Sequence, residues 1–271
     1  MAWWGVFLGT ALTSSFAGEG GNAKEPLTNP DPQQLVWIKP GIFTMGSPTN
    51  EAERYSCEGP QTLVTISQGF WMSKYETTQE EYMAVMGTNP SYFKGEARKS
   101  VEQVSWDDAT NYCAKLTARK HDAGTLPAGY AYRLPMEAEW EYACRAGTTT
   151  ATAYGDSLSS TQANFNGAPY GGGAKGPNLR ATTKVGSYAP NAWGLYDMHG
   201  NVWEWCLDWA GTYPGGNETD PRGTTTGSIR VLRGGCWYDY GWYCRSAFRF
   251  GRKPDIRNSY VGFRVVLTPI Q

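Results

Sequence analysis

The stretch GLYDMHGNVWEW, residues 194–205, sets two carboxylates, Asp197 and Glu204, on either side of a Gly200–Asn201 turn and places Glu204 between two tryptophans. Hard carboxylates flanking a turn are oxygen donors of the kind calcium accepts. The competing reading makes Glu204 a partly buried, hydrogen-bonded acid between Trp203 and Trp205. The residues alone leave both open.

Upstream, regular patterning fades after Gly147, and residues 148–191 are a long run of turn chemistry that includes Gly171-Gly172-Gly173. A loop that long inside one domain is functional or pinned by something such as a metal. Before it, three helices announce themselves by their caps. Thr78 with Glu81 forms a capping box ahead of EEYMAVMG, stopped by Gly87 and Asn89-Pro90; Ser105 with Asp108 does the same for WDDATNYCAKL; Pro135 opens MEAEWEYACRAG, which ends at Gly147. LVWIKPGIFTMGS (35–47) reads as a strand pair entering a Gly-Ser turn, and LVTISQGFWMSKYE (63–76) repeats the pattern. Downstream, SIRVLRGGCWY (228–238) is strand-like, and YVGFRVVLTP (260–269) is continuous enough in β-branched residues for a central strand.

With 24 basic and 25 acidic residues the net charge is -1, which leaves no electrostatic footprint for nucleic acid or an anionic membrane. Aromatics at 14%, 33 glycines and 16 prolines favour short strands and structured loops over a helical bundle. The opening MAWWGVFLGTALTSSFAGEGG reads as a signal peptide with small residues around Ser15-Phe16-Ala17; a membrane anchor competes, but the run is short and diluted for a span. The expected organisation is a leader and flexible segment over 1–34 and one domain over 35–271. The protein is then secreted, periplasmic or at the cell surface, a monomer with no membrane insertion in its mature form. Six cysteines suit an oxidising compartment, and His121 with His199 are too few for a His-rich metal centre.

Six motifs, FTMGS (43–47), VEQVSWDDATNYC (101–113), YRLPMEAEWEYACRAG (132–147), GLYDMHGNVWEW, RVLRGG (230–235) and GFRVV (262–266), stand in an order that resembles the sulfatase-modifying-factor family, the formylglycine-generating enzymes. The resemblance implies an α+β, C-type-lectin-like fold with little regular secondary structure and long structured loops. It implies calcium on the side chains of Asp197 and Glu204 and the carbonyls of Gly200 and Val202. A second family calcium site would use Asn164 and Phe165 with a later aspartate, where this chain offers Asn178.

The family's enzymes carry a Cys-x4-Cys pair that binds copper and activates oxygen to convert a substrate cysteine to formylglycine. Two thiolates suit soft monovalent copper, and this chain departs from the pattern. Counted forward from Gly235, the pair falls on Asp239 and Cys244; counted back from Gly262, it falls on Cys236 and Gly241. The resemblance also implies a disulfide from Cys244 to Cys144, against a copper or redox role for Cys236 or Cys244. The related sulfoxide synthases need three histidines, which this chain lacks.

GGCWYDYGWYCRSAFRFGRKPDIRNSYVGFRVV (234–266) further resembles the variable region of retroelement-diversified lectin-fold receptors. That likeness places a ligand patch on Tyr238, Asp239, Tyr240, Trp242, Tyr243, Phe248, Phe250, Arg252, Ile256, Ser259 and Tyr260. Large rigid side chains of this kind dominate binding hot spots. Residues 238–243 lack clean alternation, which favours a loop surface over a strand interior, while Trp237 and Phe263 are assigned to the core. The preferred reading is a calcium-binding protein without the copper pair that takes a protein or carbohydrate ligand; the alternative is an active copper-dependent oxidase acting on a sulfatase cysteine.

Overall fold

The computed structural model describes Met1, Asp31 and residues 34–270, so the expected leader lies, but for Met1, Asp31 and Gln34, outside the described residues. The two expected strand pairs form four strands, β1 (Leu35–Ile38), β2 (Gly41–Met45), β3 (Thr62–Ile66) and β4 (Phe70–Ser73). Neither pair is a hairpin. β1 pairs with β4 and β2 with β3, so each short turn carries the chain from one sheet to another. At the second turn the Trp37 ring lies so close to Gly69 that a Cβ there would stand 2.3 Å from it.

The helices form where their caps place them. α1 (Gln79–Met86) opens with Thr78 N–H on Glu81 Oε2 at 2.8 Å and Glu81 N–H on Thr78 Oγ1 at 3.3 Å, and Gly87 closes it in the left-handed region. α2 (Trp106–Asp122) opens on the Ser105–Asp108 box. Such caps contribute about 1 kcal/mol each. After β5 (Tyr130–Arg133), α3 (Glu137–Arg145) begins two residues past Pro135 and is buried along almost its whole length.

Then come β6 (Trp203–Trp209), β7 (Gly216–Thr219), β8 (Arg230–Arg233), β9 (Arg249–Arg252), β10 (Val261–Gly262) and β11 (Val266–Pro269). They complete three sheets, ordered β1-β4-β11-β5, β10-β6-β8-β9 and β2-β3-β7. Two expectations change here. β6 carries no alternation to announce it, because its first four residues are all buried. The expected strand over 260–269 splits: β10 pairs with β6, β11 lies between β4 and β5, and the chain crosses between sheets at Phe263–Val265.

The core lies between these sheets and α2 and α3, where Trp140, Trp205 and Phe263 are fully buried. Beneath the long loop a smaller cluster gathers Leu158, Phe165, Tyr170 and Cys244. Buried ion pairs stitch the layers: Arg264–Glu204, Arg249–Glu137, Arg233–Glu141 and Arg245–Glu58. No helix among the described residues is long and apolar enough to cross a membrane.

Candidate functional site

The turn at 197–201 forces its own backbone. Asp197 and Asn201 adopt positive φ of 57° and 64°, which few residues other than glycine accept. Gly200, at φ 89°, packs against Asn164, where a Cβ would stand 2.3 Å from the Asn164 carbonyl oxygen. Asn201 N–H donates to that same oxygen at 2.8 Å. The loop bearing Asn164 and the 197–204 turn are therefore in main-chain contact.

Three buried carboxylates, Glu76, Asp197 and Glu204, act on one another here and share the guanidinium of Arg264. Glu204 accepts from Arg264 at 2.7 and 2.6 Å and from the Trp140 indole at 2.7 Å. Asp197 Oδ2 accepts the Gly186 N–H at 2.7 Å, but its Oδ1 is buried with no partner. Burial pushes Asp197 up to about 6 and Glu76 well above the carboxylate range, with the neighbouring acids adding to the rise. An orphaned carboxylate oxygen in a centre with more acids than guanidinium groups fits a divalent cation. No three acidic, His or Cys side chains among the described residues converge to hold a metal by themselves, so such a site would draw on backbone carbonyls, as at Gly200 and Val202.

At the second expected site, Asn164 Oδ1 is likewise buried and unpartnered, and Phe165 is fully buried. Asn178, the expected later donor, is exposed and accepts the Arg180 N–H instead.

The cysteines are all free, so the expected Cys144–Cys244 bridge is not made. Cys144 turns toward Met198 O, His199 Nε2 and Ser246 Oγ, whereas Cys244 turns toward Tyr240 O and crowds Gly235. Cys236 donates to Asp239 Oδ2 at 3.0 Å. Burial, with the Asp239 charge beside them, pushes the Cys236 and Cys244 thiols well up and keeps them protonated. These residues do not fit a two-thiolate copper centre. His199 is neutral, held down to about 4 by burial; its Nδ1–H donates to Cys244 O at 2.7 Å, and its Nε2 accepts the Ala153 N–H at 3.1 Å.

The chain from 237 to 244 is a turn followed by a short 3-10 segment, Gly241–Cys244. Tyr238 and Tyr240 are exposed, and Tyr240 stacks on half-buried Trp242 with centroids 4.4 Å apart and planes within 5°. Tyr243 lies beside them, edge-on to Phe248 and 6.4 Å from Tyr55. Tyr260 meets Tyr238 at 5.0 Å, Arg252 covers Phe250 at 4.3 Å, and Ile256 and Ser259 are half-buried.

Three expectations shift. Asp239 turns inward, drawn by the Cys236 thiol. Phe248 is core, only 5% exposed, beneath Tyr55 and Tyr243. Trp237, expected inside, is half-buried on the face, between Phe93 and Tyr238 with its indole on Ser259 O at 2.9 Å. Tyr55, Tyr92 and Phe93 extend the face and were missed; aromatic residues inside Pro/Gly-rich turn text were the available signal. Glu76 was missed too, as a lone acid between a strand and a helix cap.

Comparison with known proteins agrees with this architecture. The sulfatase-modifying factor enzyme 1-like domain family matches residues 22–269. The formylglycine-generating enzyme of Streptomyces coelicolor is 39% identical over 184 residues, covering 63% of this chain and 53% of its own length. The serine/threonine-protein kinase pkn1 of Chlamydia pneumoniae is 32% identical over 89% of this chain, which spans 39% of it. The chain thus spans about half or less of these two relatives. Among solved structures, Treponema denticola variable protein 1 superposes with TM-score 0.72 at 28% identity, covering 87% of this chain and 95% of that one. PvdO from Pseudomonas aeruginosa gives 0.71 at 28% identity, covering 86% and 93%. With the fold, the motif order and the matched span in agreement, the chain belongs to the sulfatase-modifying factor enzyme 1-like family, on the formylglycine-generating-enzyme, C-type-lectin-like fold.

Proposed function

We propose that this chain is a binding member of its family, which presents the aromatic face around Tyr238, Tyr240, Trp242 and Tyr260 to a protein or carbohydrate ligand outside the cytoplasm. The observation that carries the reading is the inversion at residues 236–244: the thiols are buried and held protonated, while Tyr238 and Tyr240 between them are exposed. Flat rings held by ring-to-ring contacts lose little entropy on binding, and their faces accept sugar C–H groups or apolar side chains. Calcium, held by Asp197 and Glu204 with the carbonyls of Gly200 and Val202, would neutralise the excess of buried acids and give Asp197 Oδ1 its missing partner.

The alternative oxidase reading draws on the 39% identity to the Streptomyces coelicolor formylglycine-generating enzyme. One assay separates the two: the protein with copper(I), oxygen and a Cys-x-Pro-x-Arg peptide, with the aldehyde sought by mass spectrometry. Turnover that depends on Cys244 would overturn the binding reading. No turnover, together with specific capture on a glycan or peptide array, is the expected result.

A further inference from the structure

We propose that Glu76 and Asn201 form a positioning relay through which a divalent cation at the 197–204 loop orders the aromatic face. The inference rests on the calcium and ligand-face readings above, and it adds a residue and a consequence that neither contains.

Glu76 is fully buried, and its carboxylate is held on both sides. Ser100 Oγ and Asn201 Nδ2 donate to Oε2, and Val202 N–H donates to Oε1 at 3.2 Å. It therefore acts on the centre through the loop backbone and through charge, not as a ligand. With Asp197 and Glu204 it gives three acids against the Arg264 guanidinium, an excess that a bound cation would offset.

Asn201 is the residue on which the two regions meet. Its Nδ2 is held by Glu76 and Ser100, and its Oδ1 accepts from Thr183 N at 2.9 Å, Thr183 Oγ1 at 3.2 Å and Asn164 Nδ2 at 3.1 Å. Its carbonyl accepts the Trp237 N–H at 2.9 Å, the first main-chain bond of the aromatic segment. The residues beside it hold the segment as well: Gly200 N–H on Gly234 O at 2.7 Å and His199 Nδ1 on Cys244 O at 2.7 Å. Both ends of the segment 234–244 thus hang from three consecutive residues of the cation loop. Whatever fixes that loop lowers the entropy cost of presenting the rings, and by linkage a ligand on the rings tightens the cation.

The test is amide hydrogen exchange by mass spectrometry on the full chain, in EDTA and in saturating calcium, with calcorimetric titration of calcium chloride in parallel. In the wild type, calcium is expected to slow exchange of 234–244 by about tenfold, a typical coupling. Asn201→Gly accepts the positive φ and keeps the carbonyl bond to Trp237 but loses the side-chain bonds to Glu76, Ser100, Asn164 and Thr183; it should still take up calcium, while the effect on 234–244 weakens. Glu76→Gln, with its fold checked by melting in EDTA, should take up calcium about tenfold more weakly. Calcium uptake with protection confined to 195–204 in the wild type overturns the relay and leaves the cation centre standing. The same holds if Asn201→Gly retains the full effect on 234–244. Unchanged affinity in Glu76→Gln removes that residue from the relay. No calcium uptake by the wild type overturns the centre and the relay together.

Discussion

At position 240 a tyrosine ring lies flat on Trp242 and open to solvent, while at 248 a phenylalanine only a few residues on is sealed beneath its neighbours. Replacing the exposed Tyr238 and Tyr240 together by alanine is expected to abolish ligand capture with little change in melting temperature, since exposed side chains contribute within about 0.5 kcal/mol. Phe248→Ala should instead cost about 3–5 kcal/mol in denaturant titration. Asp208 gives a prediction of a different kind. Burial, and then Glu137, pushes its carboxyl up from 3.8 to about 7. The folded state holds this proton more tightly than the unfolded chain, so the group's contribution to stability is full below about pH 4 and is lost as pH rises through about 7. Asp208→Asn keeps an acceptor for the Glu137 N–H and is expected to flatten the stability–pH curve across that window; an unchanged slope would rule the assignment out.

At the scale of elements, the helices were legible because a capping box is written within four residues and needs nothing from the rest of the fold. The strands were legible as strands but not as partners. The runs 35–47 and 63–76 each read as a strand pair, yet the turns at Pro40 and Gly69 pass the chain between sheets, and only the tertiary arrangement decides that. β6 was hidden because a strand buried on both faces has no period of two. In the site, the loop character of 238–243 was legible from its broken alternation, whereas the inward turn of Asp239 depends on the Cys236 thiol folding back over three residues. The segment 51–58 is joined to the aromatic loop by Arg245, which is fully buried between Glu51 and Glu58 and also reaches the Glu53 and Trp242 carbonyls. Arg245→Met leaves two acids without their cation and is expected to cost about 3–5 kcal/mol, read by chemical denaturation.

For the whole molecule, the six free thiols set a simple expectation: a maleimide should label Cys57 alone in the native protein and all six in denaturant. A denatured count lower by two would show a bridge. The even cysteine count suggested pairing, but pairing needs sulfurs that meet, and Cys144 and Cys244 face different pockets. The support beneath the aromatic loop leads further. Trp237 N, Asp239 O, Gly241 N and Cys244 O are all held from below, by Asn201, Asn166, Ala168 and His199, and every one of these loop atoms belongs to the main chain. The exposed side chains of Tyr238 and Tyr240 take no part in those bonds. The loop is in this sense an interchangeable plate: its outward letters can be rewritten without touching the bolts.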